Sequence, residues 1–201
     1  MQKDNANITL ITASAPIASK THGGRAKCLQ RLVRLDLPVP RTVALSFQSV
    51  HAIAAGRLPE METLLAPFGE SPLLCVRPSS EDPDWGGPGA ILNIGMNDAL
   101  YVEFCDVLGP EAAAQIYLRF VQAYAIHVAR LDPDLFEGIE ADGQEGLSAA
   151  LKAYEDEAEE PFPQEPSVQL AAVLRSMARA WEGTTARLLR QAKGAPADAG
   201  L

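Results

Sequence analysis

The chain has few cysteines, no long apolar run and no excess of positive charge. Its 201 residues include three cysteines, Cys28, Cys75 and Cys105, which lie far apart without CxxC spacing. We interpret them as reduced, buried thiols rather than a disulfide framework or metal site. No apolar run approaches the roughly 18–20 residues that span a bilayer. The net charge of −9 argues against nucleic acid, because such a partner calls for a basic face.

The remaining composition is that of a globular domain. Hydrophobic residues make up 47% of the chain and charged residues 21%, which excludes a disordered, highly charged polymer. None of the three histidines has a second metal-type ligand four positions away. These patterns predict a cytoplasmic protein with no membrane partner, no nucleic-acid partner and no metal site built on histidine.

Residues 71–98, SPLLCVRPSSEDPDWGGPGAILNIGMND, form the most informative stretch. The apolar run Leu73–Val76 predicts a buried strand, and Pro78 ends it after Arg77 because proline cannot donate to a ladder. The glycine-rich loop 82–89 allows backbone N–H groups to approach a ligand closely. A guanidinium beside such a loop suits an anion, above all a polyphosphate. The alternative is an Arg77 paired with a local carboxylate beside an ordinary hairpin loop.

Hydrophobic periodicity and capping signals predict the other elements. Strands are expected at 8–12 and 42–45, and a second strand is expected after the glycine-rich loop. Helices are expected at 26–35, from Ser46 to 55, and at 58–66, 110–131, 147–159, 167–181 and 184–192. Residues 132–146 are expected to form an acidic loop, and 194–201 a tail or linker.

Several segments, taken in order, resemble the pyruvate phosphate dikinase family. The matching segments are 22–32 (HGGRAKCLQRL), 37–40 (LPVP), 71–98, 118–124 (LRFVQAY), 160–170 (EPFPQEPSVQL) and 176–187. The resemblance implies an α+β fold, the first part of an ATP-grasp-like nucleotide-binding domain with a helical insertion subdomain. It implies an ATP-grasp-like subdomain over 1–97 and 165–193, and a helical insertion over 98–164.

The resemblance also implies a binding site for ATP with Mg²⁺. The positions that match the family's nucleotide-contacting residues are Gly24, Arg25, Arg77, Gly86, Gly87 and Gly89. Arg25 stands where the family has lysine, and residues 87–90 replace its Met-Met-Asp-Thr. The Mg²⁺ carboxylates and the phosphoryl-accepting histidine belong to parts of the family that do not match these residues.

Two functions remain open at this stage. One is the ATP-binding portion of a pyruvate phosphate dikinase-like kinase, a phosphotransferase whose catalysis needs further domains of a longer enzyme or a partner chain. The other is a non-catalytic, stand-alone relative that serves as an interaction or regulatory domain. The resemblance implies no catalytic residue within this chain.

Overall fold

The computed structural model describes residues 8–139 and 143–201, which fall into two compact units. The first contains the described residues up to Gly69, together with Arg77–Gly89 and Leu174–Leu201. The second contains Glu70–Val76 and the described residues of Ala90–Val173. The predicted domain limits remain predictions, because compact packing units are not the same as evolutionary domains.

The described residues form a helix-rich α+β structure with two small sheets. Its strands are β1 (Ile8–Leu10), β2 (Val43–Leu45), β3 (Leu74–Val76) and β4 (Ile91–Ile94). Its α-helices are α1 (Ser19–Arg34), α2 (Phe47–Ala54), α3 (Met61–Leu65), α4 (Asp98–Leu108), α5 (Pro110–Tyr124), α6 (Asp134–Glu137), α7 (Gly143–Ala158), α8 (Pro166–Glu182) and α9 (Thr184–Ala192). None of these helices is both long enough and apolar enough to cross a bilayer.

The first unit is built around an antiparallel pair of strands and helix α1. Strand β1 pairs with β2 in the register Ile8↔Leu45 and Leu10↔Val43. A small apolar core joins this pair to the helix, and its buried members are Ile11, Ile17, Ala26 and Ala44. The predicted cap of α2 is confirmed: the Ser46 side chain accepts a hydrogen bond from the Ser49 backbone N–H.

The second unit is organised by the hairpin β3–β4 and helices α4, α5 and α7. The strands are antiparallel, with Leu74 opposite Ile94 and Val76 opposite Ile91. Helix α5 packs against α4, α7 and β4. It continues through a π-helical turn, Ala125–Ala129. The predicted helix over 110–131 is therefore confirmed, with this change of winding near its end.

An aromatic cluster fills the core of the second unit. Phe162 lies at its centre, 5.2–5.9 Å between ring centroids from four other rings, mostly in edge-to-face geometry. These rings belong to Tyr117, Phe120, Tyr124 and Tyr154. Burial raises the pKa of Tyr117 and Tyr124 well above the ordinary value for tyrosine. These hydroxyls consequently stay neutral within a largely apolar interior.

Several local predictions differ from the structure. The strand expected to be buried is half exposed: Leu73 and Cys75 are exposed because β3 has one paired neighbour and a solvent-facing side. Cys28 is exposed as well, so burial of all three thiols was wrong. Helix α1 contains the helix expected at 26–35 up to Arg34 and adds a short helical turn from Ser19, before its interruption at Gly23. The expected acidic loop contains α6 and the start of α7, and its residues 140–142 lie outside the described residues.

A buried glutamine joins the chain segments of the second unit. The Gln169 side chain is fully buried, and its Oε1 accepts a hydrogen bond from the Gly95 N–H at 2.7 Å. Its Nε2 donates to the carbonyl oxygens of Met96 (2.9 Å) and Pro163 (2.6 Å). One amide thereby satisfies three backbone groups from two loops. This is the arrangement that a buried polar side chain needs in order not to destabilise the fold.

We predict that Gln169→Leu destabilises the protein by about 3 kcal/mol, because it leaves three backbone groups without partners. Urea unfolding measures the change in unfolding free energy. The matched control is Gln144→Leu, at an exposed position whose amide donates to the Tyr101 hydroxyl. The control should change stability by no more than about 0.5 kcal/mol. Equal effects of the two substitutions would contradict a special role for Gln169.

Candidate functional site

Two distant segments of the first unit meet at Gly23 and Ser79. Gly23 has φ 80° and ψ 169°, which interrupts α1 after its first turn and favours glycine. A Cβ at this position would overlap the carbonyl group of Ser79. The absence of a side chain therefore lets the loop that follows β3 lie directly against the helix.

Hydrogen bonds hold this contact on both sides of Gly23. The Gly24 N–H donates to the carbonyl oxygen of Ser80 at 2.8 Å. The Ser79 hydroxyl accepts from the Ala26 N–H at 3.1 Å and donates to the carbonyl oxygen of His22 at 2.8 Å. We call these residues, His22–Ala26 with Pro78–Ser80, the glycine–serine junction. Gly24 lies within it, but its N–H is already used.

At the junction, one of the two predicted arginines bonds the backbone directly beside the other. Arg25 Nη1 donates to the carbonyl oxygen of Pro78 at 2.6 Å, and Arg77 directly precedes Pro78. Both arginine side chains are exposed. Consecutive Cα atoms lie about 3.8 Å apart, so the carbonyl that Arg25 contacts is one residue from the Cα of Arg77. Arg25 and Arg77, both predicted to contact phosphate, therefore adjoin the same short segment of the chain.

Neither arginine forms an ion pair with any residue that the structure describes. Among the described residues, the salt bridge that forms joins the His51 Nδ1 to the Glu182 Oε1 at 3.5 Å. In the nearby loop, Asp82 Oδ1 accepts a hydrogen bond from the Asp84 N–H at 2.8 Å. A described carboxylate paired with Arg77, the alternative to an anion site, is therefore not found. Four N–H groups of the Arg25 guanidinium remain for another acceptor.

The three glycines of the loop occupy a different environment. Gly86 and Gly87 lie beside C-terminal residues: the Lys193 Nζ is 3.7 Å from the Cβ position of Gly86, and Trp181 Cζ3 is 3.2 Å from that of Gly87. Gly89 has open space around its Cβ position. All three glycines are exposed. Gly87 is the one whose lack of a side chain permits close packing.

His22 is buried within the junction. Its side chain is 6% exposed, and its Nδ1 is hydrogen-bonded with the Thr21 hydroxyl at 2.9 Å. Its buried Nε2 has no hydrogen-bond partner among the described residues. Burial lowers the pKa of His22 below the ordinary value of about 6.5, because the charged ring loses hydration.

The described residues do not fit a magnesium site on their own. Among residues 8–139 and 143–201, no group of three His, Cys, Asp or Glu side chains converges to hold a metal ion. A shallow depression in the second unit is lined by Glu70 and Glu103 together with Asn97. Its two carboxylates would repel a polyphosphate rather than attract one.

Sequence reasoning missed the serines and the tryptophan that position these residues. Ser79 and Ser80 follow Pro78, and a serine hydroxyl commonly bonds a nearby backbone group, but the sequence does not say which one. Trp181 lies near the end of α8 and is 1% exposed. Its contact with Gly87 could not be inferred, because the two residues are distant in sequence.

Comparison with known proteins places these residues in context. No protein-family model matches the chain. A pyruvate, phosphate dikinase of Clostridium symbiosum is 32% identical over 151 residues, which cover 65% of this chain and 17% of that protein. A pyruvate, phosphate dikinase of Rhizobium meliloti (strain 1021) is 29% identical over 215 aligned positions, which cover 87% of this chain and 24% of that protein.

The chain is a distant relative of pyruvate phosphate dikinase. The relationship predicted from the sequence motifs is thereby confirmed at this level. The chain spans about a fifth of the length of the curated relatives that it matches.

We predict that Gly23→Ala destabilises the protein by at least about 3 kcal/mol, because its Cβ would overlap Ser79 at a positive φ. The matched control is Gly56→Ala, at φ +91° with nothing within 4 Å of the Cβ position. It bears the backbone cost alone, about 1 kcal/mol. Urea unfolding of both variants separates the two effects, and equal losses would show that the junction is not tightly packed.

A second prediction concerns pH. The unfolded chain binds a proton at His22 more tightly than the folded chain does, so stability should fall as the pH drops below about 6.5. His22→Gln should reduce this slope in thermal unfolding measured between pH 5 and 8. His51→Gln, at a 72% exposed side chain, should keep most of it. An unchanged slope in the His22 variant would contradict the prediction.

Proposed function

We propose that the first unit contributes one side of an ATP-binding site, as part of an ATP-grasp-like nucleotide-binding domain of the pyruvate phosphate dikinase type. Arg25 and Arg77 would contact phosphate oxygens, and Gly24, Gly86, Gly87 and Gly89 would form the adjoining backbone. On this proposal, residues 98–164 form the helical insertion. The distant relationship and the geometry of the junction support it.

The observation that carries the proposal is the placement of two exposed guanidinium groups without described carboxylate partners. Arg25 is tied to the Pro78 carbonyl, which limits the positions that its guanidinium can take. Charge-assisted hydrogen bonds to phosphate are about twice as strong as neutral ones. Arg25 and Arg77 supply two positive charges beside one loop in a chain of net charge −9, and they must act against the carboxylates of Glu81, Asp82 and Asp84 in that loop.

The junction also limits how a phosphate would be held. The Gly24 and Ala26 N–H groups already donate to Ser80 and Ser79. Backbone amides at these two positions are therefore not open to a ligand, and the guanidinium groups must provide most of the attraction. Binding that rests on such exposed charges should weaken as salt rises.

The other requirements of phosphotransfer would be met outside the described residues. ATP bound as a magnesium complex brings a cation that neutralises phosphate charge, and its carboxylate ligands would come from the remaining domains of a longer enzyme or a partner chain. The same holds for the phosphoryl-accepting histidine. By itself this chain should bind ATP only weakly, with a Kd of about 1 mM.

We predict that Arg77→Ala weakens ATP binding at least about tenfold, as expected for loss of a charge-assisted hydrogen bond. Titration of the isotope-labelled chain with Mg–ATP, followed by NMR, measures this. Arg57→Ala, at another exposed arginine, removes the same charge and should leave the affinity within about twofold.

Equal affinity of wild type and the Arg77 variant would overturn the assignment of Arg77. Equal weakening in both variants would show that net charge alone acts. Absence of shifts in wild type up to about 10 mM ATP, an energy near 2.7 kcal/mol, would favour the non-catalytic relative instead.

A further inference from the structure

The last residues of the described chain pack onto helices α8 and α9. Ala195 and Leu201 are buried, which differs from the tail or linker expected from their composition. The Trp181 indole Nε1 donates to the carbonyl oxygen of Ala199 at 2.9 Å. A Cβ at Gly200 would overlap the Phe47 ring and its Cβ, so this glycine lies tightly against α2. We call residues 194–201 the strap.

The strap is also fixed where it leaves α9. The Ala195 N–H donates to the carbonyl oxygen of Arg190 at 3.0 Å. The Arg190 guanidinium is 3.6 Å from the centroid of the Trp181 ring, and its Nη1 donates to the Trp181 carbonyl oxygen at 2.7 Å. Trp181 is thus held by an arginine on one face and by the strap at its indole N–H.

The glycine-rich loop rests on the same tryptophan. Trp181 Cζ3 and Cε3 lie 3.2 and 3.4 Å from the Cβ position of Gly87, and Leu201 Cδ1 is 3.8 Å from it. The Lys193 Nζ donates to the carbonyl oxygen of Asp84 at 3.3 Å. The loop therefore lies against Trp181, the last strap residue Leu201, and Lys193, which directly precedes the strap.

We propose that the strap is a latch for the glycine-rich loop: while residues 194–201 are docked on Trp181 and Phe47, the loop 82–89 is held against Trp181. Release of the strap frees the loop to move. The proposal does not depend on ATP binding, because it concerns the coupling between two segments of this chain.

The physical basis is that strap and loop share their partners. Undocking the strap removes the Leu201 side chain from beside Gly87 and takes away the acceptor of the Trp181 indole N–H. A buried indole N–H without an acceptor is unfavourable, so Trp181 should shift towards water when the strap leaves. The buried Arg190 Nε has no hydrogen-bond partner among the described residues, so the docked state contains one unsatisfied donor.

The test uses two Gly→Ala variants, one whose added Cβ would clash with a neighbouring side chain and one whose added Cβ would meet open space. Gly200→Ala should undock the strap because its Cβ would overlap Phe47, whereas Gly89→Ala lies in the loop with nothing within 4 Å of its Cβ position. Hydrogen exchange is followed at the Trp85 and Gly86 amides, which donate to Asp82 and Pro83 within the loop. Exchange should be about tenfold faster in Gly200→Ala and close to wild type in Gly89→Ala.

A second variant and an internal reference keep the test decisive. Trp181→Phe retains an aromatic ring but loses the indole donor, and it should also speed exchange in the loop. The amides of β1 and β2, in the same unit, should exchange at wild-type rates in both variants. The latch is overturned if the strap amides speed up while those of the loop do not. It is equally overturned if loop and β1–β2 amides speed up together, which would mean general unfolding.

Discussion

The close approach of Gly23 to Ser79 is the constraint on which the candidate site depends. Gly23 and Ser79 are 56 positions apart in sequence, and the loop can reach the helix only because position 23 has no side chain. Once the contact forms, the Ser79 hydroxyl joins both segments, and Arg25 is drawn to Pro78. The same contact uses two helix amides, so the site that results is one of exposed cations rather than of open backbone donors.

The second unit uses a different principle, which is burial around one ring and one amide. Phe162 contacts four aromatic side chains, and Gln169 satisfies three backbone groups from neighbouring loops. Burial of the Phe162 ring removes apolar surface from water, which stabilises the fold. The Gln169 amide provides hydrogen-bond partners for backbone groups that would destabilise the fold if they were buried without them. The described part of this unit is therefore packed by its own side chains and backbone.

The motifs that resemble the pyruvate phosphate dikinase family include Arg25, Arg77 and the loop that leads to β4. In the structure, Arg25 bonds the carbonyl oxygen of Pro78, which directly follows Arg77. The change from lysine to Arg25 is consistent with this structure, since a guanidinium can bond Pro78 and still offer donors outward. The glycine-rich loop, in contrast, lies against Trp181 and is bonded by Lys193. The sequence motifs gave no sign that these two residues are near the loop.

The sequence by itself determined most of the local structure. The Ser46 cap, the helices near 167–181 and 184–192, and the end of a strand at Arg77-Pro78 follow from short-range rules, because capping and proline geometry depend on adjacent residues. Only the tertiary structure decided that Gly23 meets Ser79, that Gly87 lies on Trp181 and that residues 194–201 are packed. Each of these is a contact between residues far apart in sequence, and small or polar residues there leave no periodic signal. Their partners are selected by shape and hydrogen bonding once the chain has folded.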